Sequence, residues 1–222
     1  MHVVRGFRWC MKTGWLEKFS KGLEKHAGRS VRSKVMVTAP DPSTKMTPKQ
    51  MTDWVLAAID RLDTLVPDAE TRRSIMLCCS DLFPQERIQR VREEYERTGS
   101  MEELLKWMHQ DSSWKGLAYY EYPKREENTI YVTKVPYNPK GFREATDPVR
   151  KRASYCHCPL IRPAIRSGTP VSPTFCLCGS GWYKSLWEGV LGKPVRVEIL
   201  EAVSQGAEHC TFAIHLPPGT NP

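Results

Sequence analysis

The spacing of apolar residues changes from a helical to a strand period about halfway along the chain, and this change restricts the fold classes open to it. Between residues 47 and 110, apolar side chains such as Trp54, Ala58 and Leu62 recur at helical intervals. After residue 115, aromatic and β-branched residues become frequent and alternate with polar ones, as is typical of strands. Helices followed by antiparallel strands predict an α+β fold.

Four helices are predicted in the first part of this region. The first ends at Pro67, the second covers about 69–79, and the third covers about 84–98. Ser100 followed by Glu103 forms a capping-box pattern, which predicts the start of the fourth helix. We expect these N-terminal helices to pack on an antiparallel sheet.

Two hairpins are predicted to form that sheet. The segments GLAYYEY (116–122) and TIYVTKV (129–135) flank the polar KREEN stretch. The segments 194–203 and 209–216 alternate around a Gln-Gly turn. A long amphipathic helix within 175–194 precedes this last hairpin, with a glycine and a proline at its end. The intervening residues 136–152 are predicted to be a proline-rich, basic connection.

The positive charge is confined to the N-terminal part of the sequence. Residues 1–50 hold 11 Lys/Arg and 3 Asp/Glu, whereas residues 51–222 hold 22 of each. We therefore predict a basic extension and linker over 1–46, containing one short helix, and a single α+β domain over 47–222. That domain divides into a helical part (47–110) and a sheet and cysteine-rich part (116–222). The extension could contact nucleic acid, or it could be a solvated arm.

The chain is expected to be cytoplasmic and to have no membrane partner. No apolar run approaches the ~20 residues that span a bilayer, and the first residues lack the apolar core of a secretory signal. In that compartment the eight cysteines are more often thiols or metal ligands than disulfides.

Two C-x-C pairs are the strongest candidate site. Cys156 and Cys158 flank His157, and Cys176 and Cys178 follow after 17 residues. If both pairs are extended, each presents its two side chains on one face. Four converging thiolates suit Zn²⁺, the favoured ion, and an iron–sulfur cluster is the alternative.

Other interpretations of these cysteines stay open. They could be small buried apolar residues or unligated thiols, or one could be a redox or nucleophilic thiol. Cys78 and Cys79, at a predicted helix end, are additional candidate ligands or core residues. His157 would point away from its neighbouring cysteines on a strand, which favours a surface or supporting role.

The segment 178–216 resembles the end of the vinyl-reductase-type (4-vinyl reductase) domain. The resemblance rests on a glycine-aromatic helix, an "LGKPV" entry to a strand and a final "Gly…His-Cys-x-Phe" strand. The matching residues are Gly181, Trp182, Leu186, Leu191, Gly192, Pro194, Val195, Val197, Glu198, Gly206, His209, Cys210, Phe212 and Ile214. The same ending is similar to that of the aminothiazoline-carboxylate hydrolase family.

The resemblance implies an α+β domain that binds small hydrophobic molecules or metals, often as a sensor, and it implies that Cys210 faces the ligand region. Trp182 and Tyr183, on the apolar face of the last helix, and His157 are candidates to line the same site. Core packing is the alternative account of Trp182, Tyr183 and Trp187.

Three functional hypotheses follow. The first is a small-molecule-binding or sensing protein with a zinc site. The second is an enzyme of the aminothiazoline-hydrolase or tetrapyrrole-reductase type, using a cysteine nucleophile or a metal-bound water. The third is a nucleic-acid-binding regulator that uses the basic extension, although the neutral remainder argues against a large phosphate footprint. A homodimer is left open, and no Walker, G-x-S-x-G or H-E-x-x-H motif occurs.

Overall fold

A computed structural model describes residues 10–41, 46–111 and 123–220, with side chains from residue 14 onward. The helices are α1 (Cys10–Val35), α2 (Pro48–Leu65), α3 (Ala69–Leu77), α4 (Gln85–Thr98), α5 (Met101–Gln110), α6 (Pro139–Glu144), α7 (Pro148–Tyr155), α8 (Arg162–Ser167) and α9 (Pro173–Leu191). The strands are β1 (Lys124–Glu126), β2 (Thr129–Thr133), β3 (Arg196–Glu201) and β4 (Thr211–His215).

The chain divides into two compact units, and each unit is built from two separate stretches of sequence. Unit 1 contains the described residues of Met1–Ser80 together with Cys158–Cys178. Unit 2 contains Asp81–His157 and the residues from Gly179 onward. The boundary between Cys178 and Gly179 falls within helix α9, so the first part of this helix belongs to unit 1 and the second part to unit 2. Within the described ranges, no helix has the length and apolarity needed to cross a membrane.

Unit 1 is helical. Trp15, Phe19 and Leu23 recur every four residues, so they share one face of α1, and all three are buried. The predicted basic extension therefore contributes core side chains. Helix α2 begins with a complete capping box between Thr47 and Gln50 and ends before Pro67. Helix α1 contacts both α2 and α3, and α2 contacts α8.

Unit 2 contains the sheet. Its strand order is β1-β2-β4-β3, and every neighbouring pair is antiparallel. Alternation places one face of the sheet against α4, α5 and the second part of α9. The central buried residues of this core are Val91, Met101, Leu104, Met108, Ile130, Val132, Tyr183, Leu186, Trp187, Val197, Phe212 and Ile214.

The predicted α+β class, the four helices over 47–110 and the long helix before the last hairpin are confirmed. Asp68 and Ser100 each accept a hydrogen bond from the backbone N–H three residues later, so α3 and α5 begin as their sequences indicate. Val197, Phe212 and Ile214 share the buried face, as predicted for the final hairpin.

Three local predictions were wrong. In the first hairpin, residues 124–126 of the KREEN stretch themselves pair with 129–131 around a tight turn, while 116–122 lies outside the described residues. The connection 136–152 contains α6 and α7, because Asn138-Pro139 and Asp147-Pro148 each supply an N-cap and a first-turn proline. Cys176 and Cys178 are helical rather than extended, because α9 starts at Pro173.

Gly189 of α9 lies against Ile88 of α4 and allows a direct test of this core. A Cβ at residue 189 would overlap the Ile88 Cγ2 atom and lie 3.2 Å from Ile88 Cδ1. Because both helices are packed, we expect Gly189→Ala to lower the free energy of unfolding by about 1–3 kcal/mol.

Gly179→Ala is the matched control in the same helix, since nothing lies within 4 Å of its added Cβ. It should stabilise the protein slightly, because alanine has the higher helix propensity. Urea titration followed by far-UV circular dichroism measures both changes. Equal stabilities of the two variants would contradict this packing.

Candidate metal centre

The second C-x-C pair lies in the first two turns of α9. Residues two apart on a helix are rotated by about 200° around its axis, so Cys176 and Cys178 point in different directions. The shared face that the sequence predicted for this pair is therefore absent. Ser172, which precedes Pro173, accepts a hydrogen bond from the Thr174 N–H at 3.2 Å, as a helix-capping serine does.

The first C-x-C pair follows α7. Cys156 is the C-cap of that helix, has extended backbone angles and is buried. The His157 ring lies edge-on to Tyr137, and its Nε2 lies 2.7 Å from the Val135 carbonyl oxygen. These residues belong to unit 2. Cys158 is half-buried and belongs to unit 1, where its carbonyl accepts from the Arg162 N–H at 3.2 Å.

Unit 1 brings together a different set of thiols, the thiol trio of Cys78, Cys79 and Cys178. Cys78 and Cys79 follow the end of α3, and the next residue, Ser80, donates its hydroxyl to the Cys178 carbonyl at 2.8 Å. The Ser80 carbonyl accepts from Lys18 Nζ at 3.0 Å. These two bonds fix the end of α3 against both α9 and α1.

Close packing on α1 holds Cys78 in place. An added Cβ on Gly22 would lie 3.1 Å from the Cys78 Cβ and 3.4 Å from its sulfur. A glycine is therefore needed on this turn of α1 for α3 to approach so closely. None of the seven cysteines whose side chains are described forms a disulfide.

The electrostatics of Cys79 reflect its burial and its neighbours. Burial raises the pKa of the Cys79 thiol far above its ordinary value, and the thiols of Cys178 and Cys78 raise it further. Lys18 opposes this shift. Cys178 and Cys78 are thus near enough to act on the charge of Cys79, and a cation among them would relieve the cost of ionisation.

Asp63 holds the start of α9 in unit 1. Its carboxylate accepts from the Ser172 hydroxyl at 2.5 Å and from the Thr174 hydroxyl at 2.6 Å. Arg72 Nε lies 3.3 Å from the same carboxylate. This hydrogen-bonded group, which we call the Asp63 clasp, orients the turn of α9 that carries Cys176 and Cys178.

Cys210 lies in unit 2 at the start of β4 and packs against the sheet core. Its sulfur is 3.5 Å from the Val203 N–H, which donates to it. Burial raises the pKa of the Cys210 thiol, so the thiolate that nucleophilic chemistry needs is disfavoured at neutral pH.

The aromatic candidates for a ligand cavity are packed side chains of unit 2. Tyr183 and Trp187 are fully buried. Tyr183 contacts Phe212 with ring centroids 4.9 Å apart, and the half-buried Trp182 contacts Phe83 at 4.7 Å. These contacts account for their apolar pattern through core packing.

Within residues 10–41, 46–111 and 123–220, no group of three or more His, Cys, Asp or Glu side chains, the thiol trio included, has an arrangement that could hold a metal ion. The chain has no match among family models, curated proteins or solved structures. Cys78, Cys79 and Cys178 were all candidate ligands in the sequence, but their grouping without Cys156 was not predicted. The Asp63 clasp was missed, although Ser172-Pro173 was a signal for the start of α9.

Proposed function

We propose that this chain is a small-molecule-binding or sensing protein with a cysteine-ligated metal site, and that zinc is its ion. The observation that supports the site is the thiol trio, three thiols from the ends of two helices held together in unit 1 by Ser80 and Lys18. The small-molecule part of the proposal rests on the resemblance of 178–216 to the vinyl-reductase-type domain.

The chemistry of the donors fits a soft or borderline cation. Thiolates are preferred ligands of Zn²⁺ and of iron–sulfur clusters. Cys79 and Cys178 are the proposed central ligands, with Cys78 beside them. Cys158 and Cys176 belong to the same unit and are the proposed further ligands that would complete four-coordination. A bound ion would supply the positive charge that a buried Cys79 thiolate lacks.

Burial of two of the thiols argues against using either of them as the nucleophile of an enzyme. Cys79 and Cys210 both have pKa values raised by burial, and low-pKa, accessible thiols are the reactive ones. A metal-binding thiol needs no such activation, because the metal displaces its proton.

The test is the metal content of the purified full-length chain and of single Cys→Ser variants. We expect about one zinc per chain, and we expect Cys79→Ser and Cys178→Ser to lose most of it. Cys210→Ser is the control, because this half-buried thiol lies in unit 2 and should leave the metal content unchanged. Cobalt substitution supplies a second readout, since thiolate ligands give charge-transfer absorption.

The outcomes separate the ligand sets. Full zinc content in both Cys79→Ser and Cys178→Ser contradicts the site. If buried Cys79→Ser fails to fold by circular dichroism, the half-buried Cys178→Ser still decides. Loss of metal from Cys156→Ser and Cys178→Ser, with full metal content in Cys79→Ser, would support instead the set Cys156, Cys158, Cys176 and Cys178 expected from the sequence. If the analysis finds iron and sulfide in place of zinc, the proposed ion is wrong but the proposed thiol ligands remain.

A further inference from the structure

The positive charge of unit 2 is concentrated on one stretch, although residues 51–222 are neutral as a whole. Residues 134–157 contain six Lys/Arg and two Asp/Glu, a net charge of +4. In the same unit, residues 81–111 contain five Lys/Arg and eight Asp/Glu, a net charge of −3. The two stretches of unit 2 therefore carry opposite net charges. The net charge of the whole segment 51–222 does not show the positive charge of residues 134–157.

Helices α6 and α7 present much of this charge to solvent. Lys140 and Arg143 are three residues apart and therefore share a face of α6, and both are exposed. Helix α7 packs against α6 and carries the exposed Arg150. On α7, the Nζ atom of Lys151 lies over the Phe142 ring of α6, 5.1 Å from the ring centroid. The Lys151 side chain therefore extends toward α6.

Three carboxylates lie close to this surface and offset part of its charge, and its excess positive charge lies on Arg143 and Arg150. Glu144 lies 3.9 Å from Lys140, and Glu208 lies 3.6 Å from Lys151, but both carboxylates are largely solvent-exposed, so these pairs are weak. Asp147 accepts from the Arg150 N–H at 2.7 Å as the cap of α7. Among the described carboxylates, none is within ion-pair distance of Arg143 or Arg150.

An exposed tyrosine lies beside this charge, and its backbone is held in place. Tyr137 is 49% exposed, so part of its ring is accessible from solvent. Its backbone N–H donates to the Tyr155 carbonyl at 3.0 Å, and the next residue, Asn138, donates to the Ser154 carbonyl at 3.0 Å. The His157 ring packs edge-on at 5.7 Å between centroids. The backbone of Tyr137 is therefore held in place, and about half of its surface remains exposed.

We propose that the α6–α7 surface, formed by Tyr137, Lys140, Arg143, Arg150 and Lys151, binds single-stranded nucleic acid. Cations at the spacing of neighbouring helical turns suit successive phosphates, and an accessible aromatic ring suits an unstacked base. Single strands offer both groups at once, whereas a duplex keeps its bases stacked. This function is independent of the metal site, and it uses unit 2 rather than the basic N-terminal residues.

The experiment is fluorescence anisotropy with the full chain and labelled oligo-uridine and oligo-thymidine strands of about 12 nucleotides. Binding should weaken steeply as salt rises from about 50 to 200 mM. Arg143→Gln/Arg150→Gln should reduce the slope of log K against log salt by about 1.4, since each phosphate contact on a single strand contributes about 0.7. Tyr137→Ala should weaken binding about tenfold, while Tyr137→Phe should retain it.

The matched control removes two charges elsewhere. Lys25→Gln/Lys34→Gln changes two exposed lysines of α1 and should leave both the affinity and the salt slope unchanged. The proposal is overturned if the intact chain shows no salt-dependent binding, or if the α1 variant loses binding while the α6–α7 variant keeps it. Equal affinity for a polyphosphate without bases, unaffected by Tyr137→Ala, would also overturn it. Circular dichroism confirms that each variant is folded.

Discussion

Trp187→Ala is expected to cost about 3–5 kcal/mol of the free energy of unfolding, the range found for removing a large buried aromatic side chain. Trp187 is fully buried in the core of unit 2, between the sheet and the helices that pack on it. Because small domains are stable by only about 5–15 kcal/mol, this single change removes a large part of the total. Urea unfolding followed by far-UV circular dichroism measures it.

Two further variants make this prediction specific. The Trp187 indole Nε1 is buried without a hydrogen-bond partner among the described atoms, so Trp187→Phe gives up no hydrogen bond and should cost much less than Trp187→Ala. Leu200, at the irregularity between Ile199 and Glu201 in β3, is exposed. Leu200→Ala should change stability by no more than about 0.5 kcal/mol. Equal losses for Trp187→Ala and Leu200→Ala would contradict the assignment of the core.

Asp63→Ala is expected to destabilise unit 1 by about 2–3 kcal/mol, because it removes the acceptor of two charge-assisted hydrogen bonds and the partner of Arg72. The carboxylate is half-buried, so water replaces part of the lost contacts. If the metal site is as proposed, the variant should also retain less zinc, since the clasp orients the turn of α9 that carries Cys178.

The control for the clasp is Asp60→Ala on the same helix. Asp60 is exposed, and its replacement should change stability by no more than about 0.5 kcal/mol. Thermal and urea unfolding of both variants separate the loss of the clasp from the loss of a negative charge on α2. A matching loss in Asp60→Ala, or no loss in Asp63→Ala, would show that the clasp does not hold the helix.

Much of the secondary structure follows from local signals in the sequence. Helices α2, α3 and α5 begin at Thr47, Asp68 and Ser100, whose side chains cap the first turns. The last hairpin follows from the alternation of apolar residues at Val197 and Ile199, which indicates the face that is buried. Such features depend on a few neighbouring residues, and a single sequence contains them.

Other helices had a local signal in the sequence, but the overall composition of their segments led to a different prediction. The charges of residues 1–50 suggested an arm, although Trp15, Phe19 and Leu23 already had helical spacing. The prolines of 136–152 suggested a connection, although each one that starts a helix follows a capping residue. In each case a specific positional signal was stronger than the overall content of the segment.

The candidate site was the least predictable part, because its contacts are distant along the chain. Asp63 meets Ser172 and Thr174 more than 100 residues later, and Ser80 meets Cys178 at a similar separation. No local pattern encodes such pairs. The helical state of Cys176 and Cys178 then changes the directions in which they point, so a spacing motif alone could not specify the ligand set.

The division of the two units along the chain has a consequence for biosynthesis. Unit 1 takes its last segment from Cys158–Cys178, after most of unit 2 has already been translated. A nascent chain that ends near residue 80 therefore lacks α8, the clasp residues Ser172 and Thr174, and Cys178. We expect unit 1 to reach its native packing only late in translation. A fragment that ends near residue 80 should remain incompletely folded and be bound by chaperones or degraded by proteases.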